Sequence, residues 1–210
     1  MSGTGLNRGE IDSLDSLAAL FGPVQEASRR KEVTTLPPVY QEMVRASPFC
    51  VLATTGPDGM DASPRGDAPG FVAVVDEQTL HLPERRGNNR IDSLRNILHD
   101  PRVAMLFLIP GRGETLRING RATVLAGPAV LAPYAVSGRL PTCVVEVRVE
   151  AAFFQCARAI QRSRLWAPVS PEALAHLPSA GEMLAALTEG ALGGPAYDAE
   201  LPARQQATLY

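Results

Sequence analysis

Cysteine is scarce in this chain: Cys50, Cys143 and Cys156 are the whole supply, odd in number and without a CxxC spacing. Neither a disulfide framework nor a thiolate zinc site is suggested, and thiols used this way point to a reducing cytoplasm. Histidine is as sparse. His81, His99 and His176 are scattered, none has a histidine four residues away, and HExxH and GxSxG do not occur. Metal-dependent hydrolysis and acyl transfer therefore lack their usual residues, and no metal site is expected. GxxxxGK[ST] and GxGxxG are missing too, which removes the P-loop and the Rossmann dinucleotide site. No run approaches the roughly 18 apolar residues of a membrane span. The start, "MSGTGLNRGEIDSLDSL", has no basic segment followed by an apolar one, so the expectation is a soluble, non-secreted protein with no membrane partner. Neither sign of charge dominates: 20 Lys+Arg against 22 Asp+Glu leave −2 at pH 7. Nucleic acid is not an expected partner, and any anion site has to be local. Internal repeats and low-complexity segments are absent.

What is there suits one sizeable core with extensions. The 210 residues are 45% hydrophobic and 20% charged, and 18 Gly with 18 Pro imply many turns rather than long helices. Leu14, Leu17, Ala18 and Phe21 repeat at helical spacing behind Asp12 or Ser13 as a cap, and Gly22-Pro23 stops the pattern. A second helix is predicted from Pro37 through Val39, Tyr40, Met43 and Val44 to about Ala46. Residues 1–46 thus read as a helical arm.

From Phe49 the texture changes to short β-branched and aromatic runs between turn residues. "FCVLATT" and "GPDGM" lead into a return strand ending near Ser63. "FVAVV", "DEQ" and "TLHL" form a second hairpin; "VAMLFLI", "PGRG" and "ETLRINGRATVL" a third; "PTCVVEVRVEAAFF" adds another strand. Residues 47–155 are therefore expected to form a barrel of about six to seven antiparallel strands, in a mainly β protein with flanking helices (α+β). Phe49–Ala53 and Val103–Ile109 are apolar on both faces, so one face can fill the barrel and the other a subunit interface. Glu114–Leu125 alternates, with Thr115, Arg117, Asn119 and Arg121 on a polar face and Leu116, Ile118, Gly120 and Ala122 on a core face. Residues 156–210 read as an extension. It holds a basic helix in "CARAIQRSRLWAP", a helix over Pro171–Thr188, and a last twenty residues with little pattern, expected as a mobile tail.

Between the second and third hairpins lies "PERRGNNRIDSLRNILHDP". Ile91, Leu94, Ile97 and Leu98 fall on one helical stripe, Asn88 or Asn89 can cap, and Asp100-Pro101 closes the element. A helix N-terminus with Arg85, Arg86, Asn88, Asn89 and Arg90 beside it has the donors a phosphate needs; the plainer alternative is a solvated basic loop. "DASPRGDAPGFVAVV" puts Arg65 where Pro64 and Gly66 are expected to bend the chain out of the sheet, as a second cation for the same phosphate. His81 reads as a structural or site-lining residue, the cysteines as buried apolar fillers.

"SPFCVLATTGPDGMDASPRGDAPGFV", "LHLPERRGNNRIDSLRNILHDPRVAMLFLIPG" and "ETLRINGRATV" together resemble the pyridoxamine 5′-phosphate oxidase-like, FMN-binding split-barrel family, and within it a subgroup of FMN-dependent enzymes of unassigned substrate. The resemblance covers about Ile11 to Pro168. It implies a homodimeric oxidoreductase with non-covalent FMN at the subunit interface, passing hydride or electrons between the flavin and a small molecule. It also implies that Ser63, Pro64, Arg65, Gly66, Leu82, Pro83, Asn88, Asn89 and Arg90 hold the FMN phosphate and ribityl chain, and that Thr115 and Arg117 face the ring. Arg162 and Trp166 either reach the partner's flavin pocket or belong to a packed helix with solvated arginines. A flavin sensor, carrier or storage protein without turnover, and a barrel holding haem or a deazaflavin, are the alternatives. The pyridoxamine phosphate oxidases proper end in a segment with an Arg and a His near the substrate. This chain ends "ELPARQQATLY", so vitamin B6 oxidation is not expected.

Overall fold

The computed structural model describes residues 9–210. Two compact units emerge, the first ending at Glu32 and the second running Val33–Tyr210. In the first, α1 (Leu14–Leu20) starts as its sequence predicts: the Ser13 hydroxyl accepts from the Ser16 amide. A second short helix, α2 (Glu26–Arg30), lies within the expected helical arm but carries no apolar period that marks it in the sequence.

The second unit begins with α3 (Pro38–Ala46), which buries Tyr40 and Val44 while Val39 stays exposed. Seven strands follow: β1 (Phe49–Gly56), β2 (Gly59–Gly66), β3 (Ala73–Val74), β4 (Thr79–Glu84), β5 (Arg102–Leu108), β6 (Thr115–Leu125) and β7 (Cys143–Gln155). They make one antiparallel sheet in the order β2-β1-β5-β6-β7-β4-β3. This is a split barrel in a mainly β, α+β chain. The core-facing rows follow from the period of two: Cys50 and Leu52 on β1, Val103, Met105 and Phe107 on β5, Leu116 and Ile118 on β6, Val145 and Val147 on β7, Leu80 and Leu82 on β4 are all buried. Each such leucine, isoleucine or phenylalanine contributes roughly 1.5–3 kcal/mol on leaving water.

Among the glycines that permit close approach, two shape the sheet and its covering helix. A Cβ on Gly120 would lie 2.2 Å from the Arg148 carbonyl oxygen, at the bulge where β6 shifts register against β7 between Asn119 and Gly120. A Cβ on Gly56 would meet Asn96 Oδ1 at 2.1 Å, and Asn96 donates to Thr54 Oγ1. Gly56 thereby lets α4 (Asp92–His99) sit across the end of β1.

Several sequence expectations are corrected. Arg65 does not leave the sheet: it stays in β2, opposite Cys50, and Pro64 stays opposite Val51, because β2 is the sheet's edge strand, where a proline's missing N–H is tolerated. Neither Asn88 nor Asn89 caps α4, whose N-cap is Ile91 in a left-handed conformation without a side-chain bond; Leu98 on the expected stripe is exposed. Thr115, assigned to a polar face, is buried. The helix expected over Pro171–Thr188 is two, α7 (Pro171–Leu174) and α8 (Ala180–Leu187), after α6 (Arg158–Ser163) and the helical turn α5 (Pro128–Leu131); Pro178 interrupts them. The last twenty residues are not a patternless tail but mostly α9 (Gly194–Ala207). Its docking to α8 runs through Asp198, which accepts from Ser179 Oγ and the Gly181 amide. Cys156 is exposed, unlike Cys50 and Cys143. No helix is long and apolar enough to cross a membrane among the described residues.

Candidate functional site

Strand β2 ends one side of the sheet and β4 lies next to the other end, so no ladder joins them. The alternation that buries Cys50, Leu52 and Thr54 puts their β2 partners Arg65, Ser63 and Asp61 on the same inner face. On β4 the inner row is Leu80, Leu82 and then Glu84. Polar side chains therefore meet where the barrel is split, and a cavity of about 660 Å³ opens there.

Two ion pairs cross that split. Arg65 Nε donates to Glu84 Oε1 at 2.9 Å, and Arg85 Nε donates to Asp67 Oδ2 at 3.2 Å. The charges are reciprocal, cation on β2 to anion on β4 and the reverse one step outward. Glu84 and Asp67 keep only 14% and 7% of their side-chain surface, so removing an arginine would strand a largely dehydrated carboxylate. Arg65 also donates through Nη1 to Ser63 Oγ and to the Pro64 carbonyl. Beneath it, burial pushes the Cys50 thiol up to about 12, with Arg65 pulling it down and Glu84 up; burial likewise raises Cys143. Both thiols stay protonated and are poor nucleophiles.

The basic loop forms the third wall. Asn88 Oδ1 accepts from the Arg90 amide, and Asn89 and Ile91 have φ of 59° and 53°. Asparagine tolerates that region, but a β-branched residue there costs about 1–2 kcal/mol. The fold holds the loop against this strain. Asp61 accepts from Ser93 Oγ in the first turn of α4, tying the loop's far end to β2.

Of the residues singled out from the sequence, Ser63, Pro64, Arg65, Gly66, Leu82, Pro83, Asn88, Asn89 and Arg90 line this one cavity. Thr115, Arg117, Arg162 and Trp166 do not. Arg117 lies over the Phe153 ring at 4.9 Å on the outer face. Trp166 donates to the Arg112 carbonyl and borders a smaller depression with Gly111, Gly113, Ile160 and Arg164. Arg85 and Arg86, expected among the donors at the helix entrance, line it too, and so do residues that the sequence did not single out as contacts, among them Phe71, Glu84, Asp92 and Thr142. The available signal was the opposed order of charges in "PRGD" and "PERR". His81 lies outside the lining: its ring nitrogens meet Tyr134 Oη at 2.8 Å and Glu146 Oε2 at 2.9 Å. Among the described residues no group of three or more His, Cys, Asp or Glu is placed to hold a metal ion.

The family profile described as pyridoxamine 5′-phosphate oxidase matches residues 36–156, more than half of the chain. No curated protein matches. Among solved structures the chain is similar to HupZ of Group A Streptococcus, at 20% identity over 58% of this chain and 94% of that one, with a TM-score of 0.47. General stress protein 26 of Bacillus anthracis matches at 13% identity over 54% and 88%, TM-score 0.41. A FAD-binding protein of Mesorhizobium loti matches at 18% identity over 57% and 93%, TM-score 0.39.

Proposed function

Since the chain belongs to the pyridoxamine 5′-phosphate oxidase family, we propose that it is an FMN-dependent oxidoreductase whose flavin binds non-covalently in the cavity between β2 and β4. The observation that carries this reading is the cavity's chemistry. Its lining includes Arg65, Arg85, Arg86, Asn88, Asn89 and Arg90, while Phe71, Leu82, Pro83 and Leu94 supply apolar wall. Its volume lies in the range of about 300–1,000 Å³ usual for cofactor sites. The residues fit a ligand with a dianionic end and a flat apolar end. A haem is less well served, because no histidine lines the cavity.

When bound, FMN supplies hydride or electron transfer to a small molecule. The chain's own part is binding and orientation. Arg65, Asn88, Asn89 and Arg90 grip the phosphate, with Ser63 to Gly66 and Leu82-Pro83 along the ribityl chain. Glu84 and Asp92 hold the Arg65 and Arg90 guanidinium groups in place.

We further propose a homodimer. Phe49, Val51 and Ala53 on β1 and Ala104, Leu106 and Leu108 on β5 form an outer apolar face that stays half-exposed in one chain. A two-fold contact there is the route by which Thr115, Arg117, Arg162 or Trp166 would come to the partner's flavin. A supply of only three cysteines, with no CxxC spacing, suits a reducing cytoplasm.

Titration of apoprotein tests the cofactor. FMN should bind far more tightly than riboflavin, because most donors address the phosphate, and FAD poorly. Equal FMN and riboflavin affinities would overturn the reading, and a released ligand with the mass of haem or a deazaflavin would replace it. Reduction of bound FMN by NADH or NADPH separates an enzyme from a carrier.

A further inference from the structure

Tyr210 lies 143 positions beyond Asp67, yet its phenol donates to Asp67 Oδ1 at 2.6 Å. The other oxygen of that carboxylate takes the Arg85 Nε bond. Arg85 Nη1 is held by the Tyr134 carbonyl at 2.8 Å, and the guanidinium sits 5.9 Å from the Tyr210 ring centroid. Arg139 in turn donates to the Tyr210 backbone carbonyl, which fixes the tyrosine from the other side. These contacts use Nε and Nη1 of Arg85; among the described residues Nη2 makes no hydrogen bond, and the side chain forms part of the cavity wall. Asp67 follows β2 and Arg85 follows β4, so the pair spans the mouth of the split.

We propose that Tyr210 is a positioning residue for the phosphate end of the site: by holding Asp67 it sets Arg85 so that its remaining donor meets the ligand's phosphate. Affinity for a phosphorylated ligand then depends on the segment that follows α9, far from the cavity in sequence. The proposal rests on the reading of this cavity as the FMN site. It differs from a simple packing role because a tyrosine that only braced the fold would affect all ligands alike.

The physical basis is pre-organisation. An arginine already held in the bound geometry loses less rotamer freedom when the anion arrives. An Asp67 carboxylate short of one donor would instead draw Arg85 toward itself, because a nearly buried carboxylate needs its lone pairs satisfied.

The test is a double-mutant cycle in the full chain, with Tyr210→Phe and Arg85→Ala, alone and together, titrated with FMN and with riboflavin. Tyr210→Phe should weaken FMN about tenfold and leave riboflavin unchanged. In the Arg85→Ala background the same change should do nothing further, since its route is gone. A Tyr210→Phe protein that loses both ligands equally, that loses neither, or that still weakens FMN when Arg85 is absent, would overturn the proposal. Wild-type protein that does not prefer FMN to riboflavin would instead sink the cofactor reading on which it rests. The two failures are thereby told apart.

Discussion

At the scale of single residues, Arg65 and Arg90 look alike in the sequence, two arginines near Gly or Asn, and differ in what surrounds them. Arg90 keeps 75% of its side-chain surface and meets Asp92 as an exposed pair, the kind that adds little to stability. Arg90→Ala should therefore leave the melting temperature unchanged while weakening FMN by about tenfold or more. Arg65 neutralises Glu84 in the split, so Arg65→Ala should lose FMN and also about 2 kcal/mol or more of stability. Thermal denaturation of both apoproteins beside their FMN titrations checks the contrast; an Arg65→Ala protein as stable as wild type would mean that Glu84 finds another partner.

The contact between Tyr210 and Asp67 has a pH signature. The hydrogen bond to the Asp67 carboxylate raises the Tyr210 phenol, helped by that charge and opposed by Arg85. Burial would raise Asp67, but bonds from Tyr210 and the Ala68 amide and the nearby Arg85 outweigh it and hold the carboxyl below its ordinary value. A raised phenol contributes fully below its unfolded pKa of about 10 and loses its contribution as pH rises through the folded value. A lowered carboxyl contributes above its unfolded pKa of about 3.9 and loses it as pH falls through the folded value. The contact is thus whole between about pH 5 and 9. The ratio of FMN to riboflavin affinity should be flat from about pH 7 to 9 and fall above about 10 in wild type, with no such fall in Tyr210→Phe.

At the scale of elements, β6 and the basic loop show where local chemistry and fold disagree. The bulge at Asn119/Gly120 needs a residue without a Cβ, and the obstacle is backbone, which cannot step aside. Gly120→Ala should cost about 2–4 kcal/mol, read as a shift in denaturant midpoint. Ile91 presents the reverse case. Glycine there removes about 1–2 kcal/mol of left-handed strain and adds about 0.5–1 kcal/mol of unfolded-chain freedom. Ile91→Gly apoprotein should therefore be no less stable than wild type, yet release FMN faster in stopped-flow measurements, because the loop is less committed to its shape. The asparagines predicted to cap α4 go to other uses, Asn88 to the loop's own backbone and Asn89 to a left-handed turn. Propensity marked them as turn residues without saying which turn.

At the scale of the molecule, the outer face of β1 and β5 is apolar and half-exposed, and the proposed homodimer would cover it. Leu106→Glu places a charge among Val51, Arg117 and their neighbours. In sedimentation experiments it should shift the protein to monomer, and FMN affinity should fall with it if the flavin site is shared. By mass action, FMN should also lower the concentration at which wild-type subunits separate. A monomer that holds FMN at full affinity would rule the shared site out.

Much of this architecture is written in local patterns. Alternation and turn residues specify seven strands, the Pro37 start and Asp100 stop frame the helices around them, and "ERRGNNR" gathers the cavity's cations within a few positions. These features are legible because each depends on neighbours within one turn or one pleat. The split itself is different. Arg65 finds Glu84 only because β2 and β4 are curled toward each other by strands between and beyond them, and Asp67 finds Tyr210 across 143 positions. No period in the chain encodes such pairs; they are chosen by which dehydrated charges the closed core brings within reach, and the tertiary structure alone decides that.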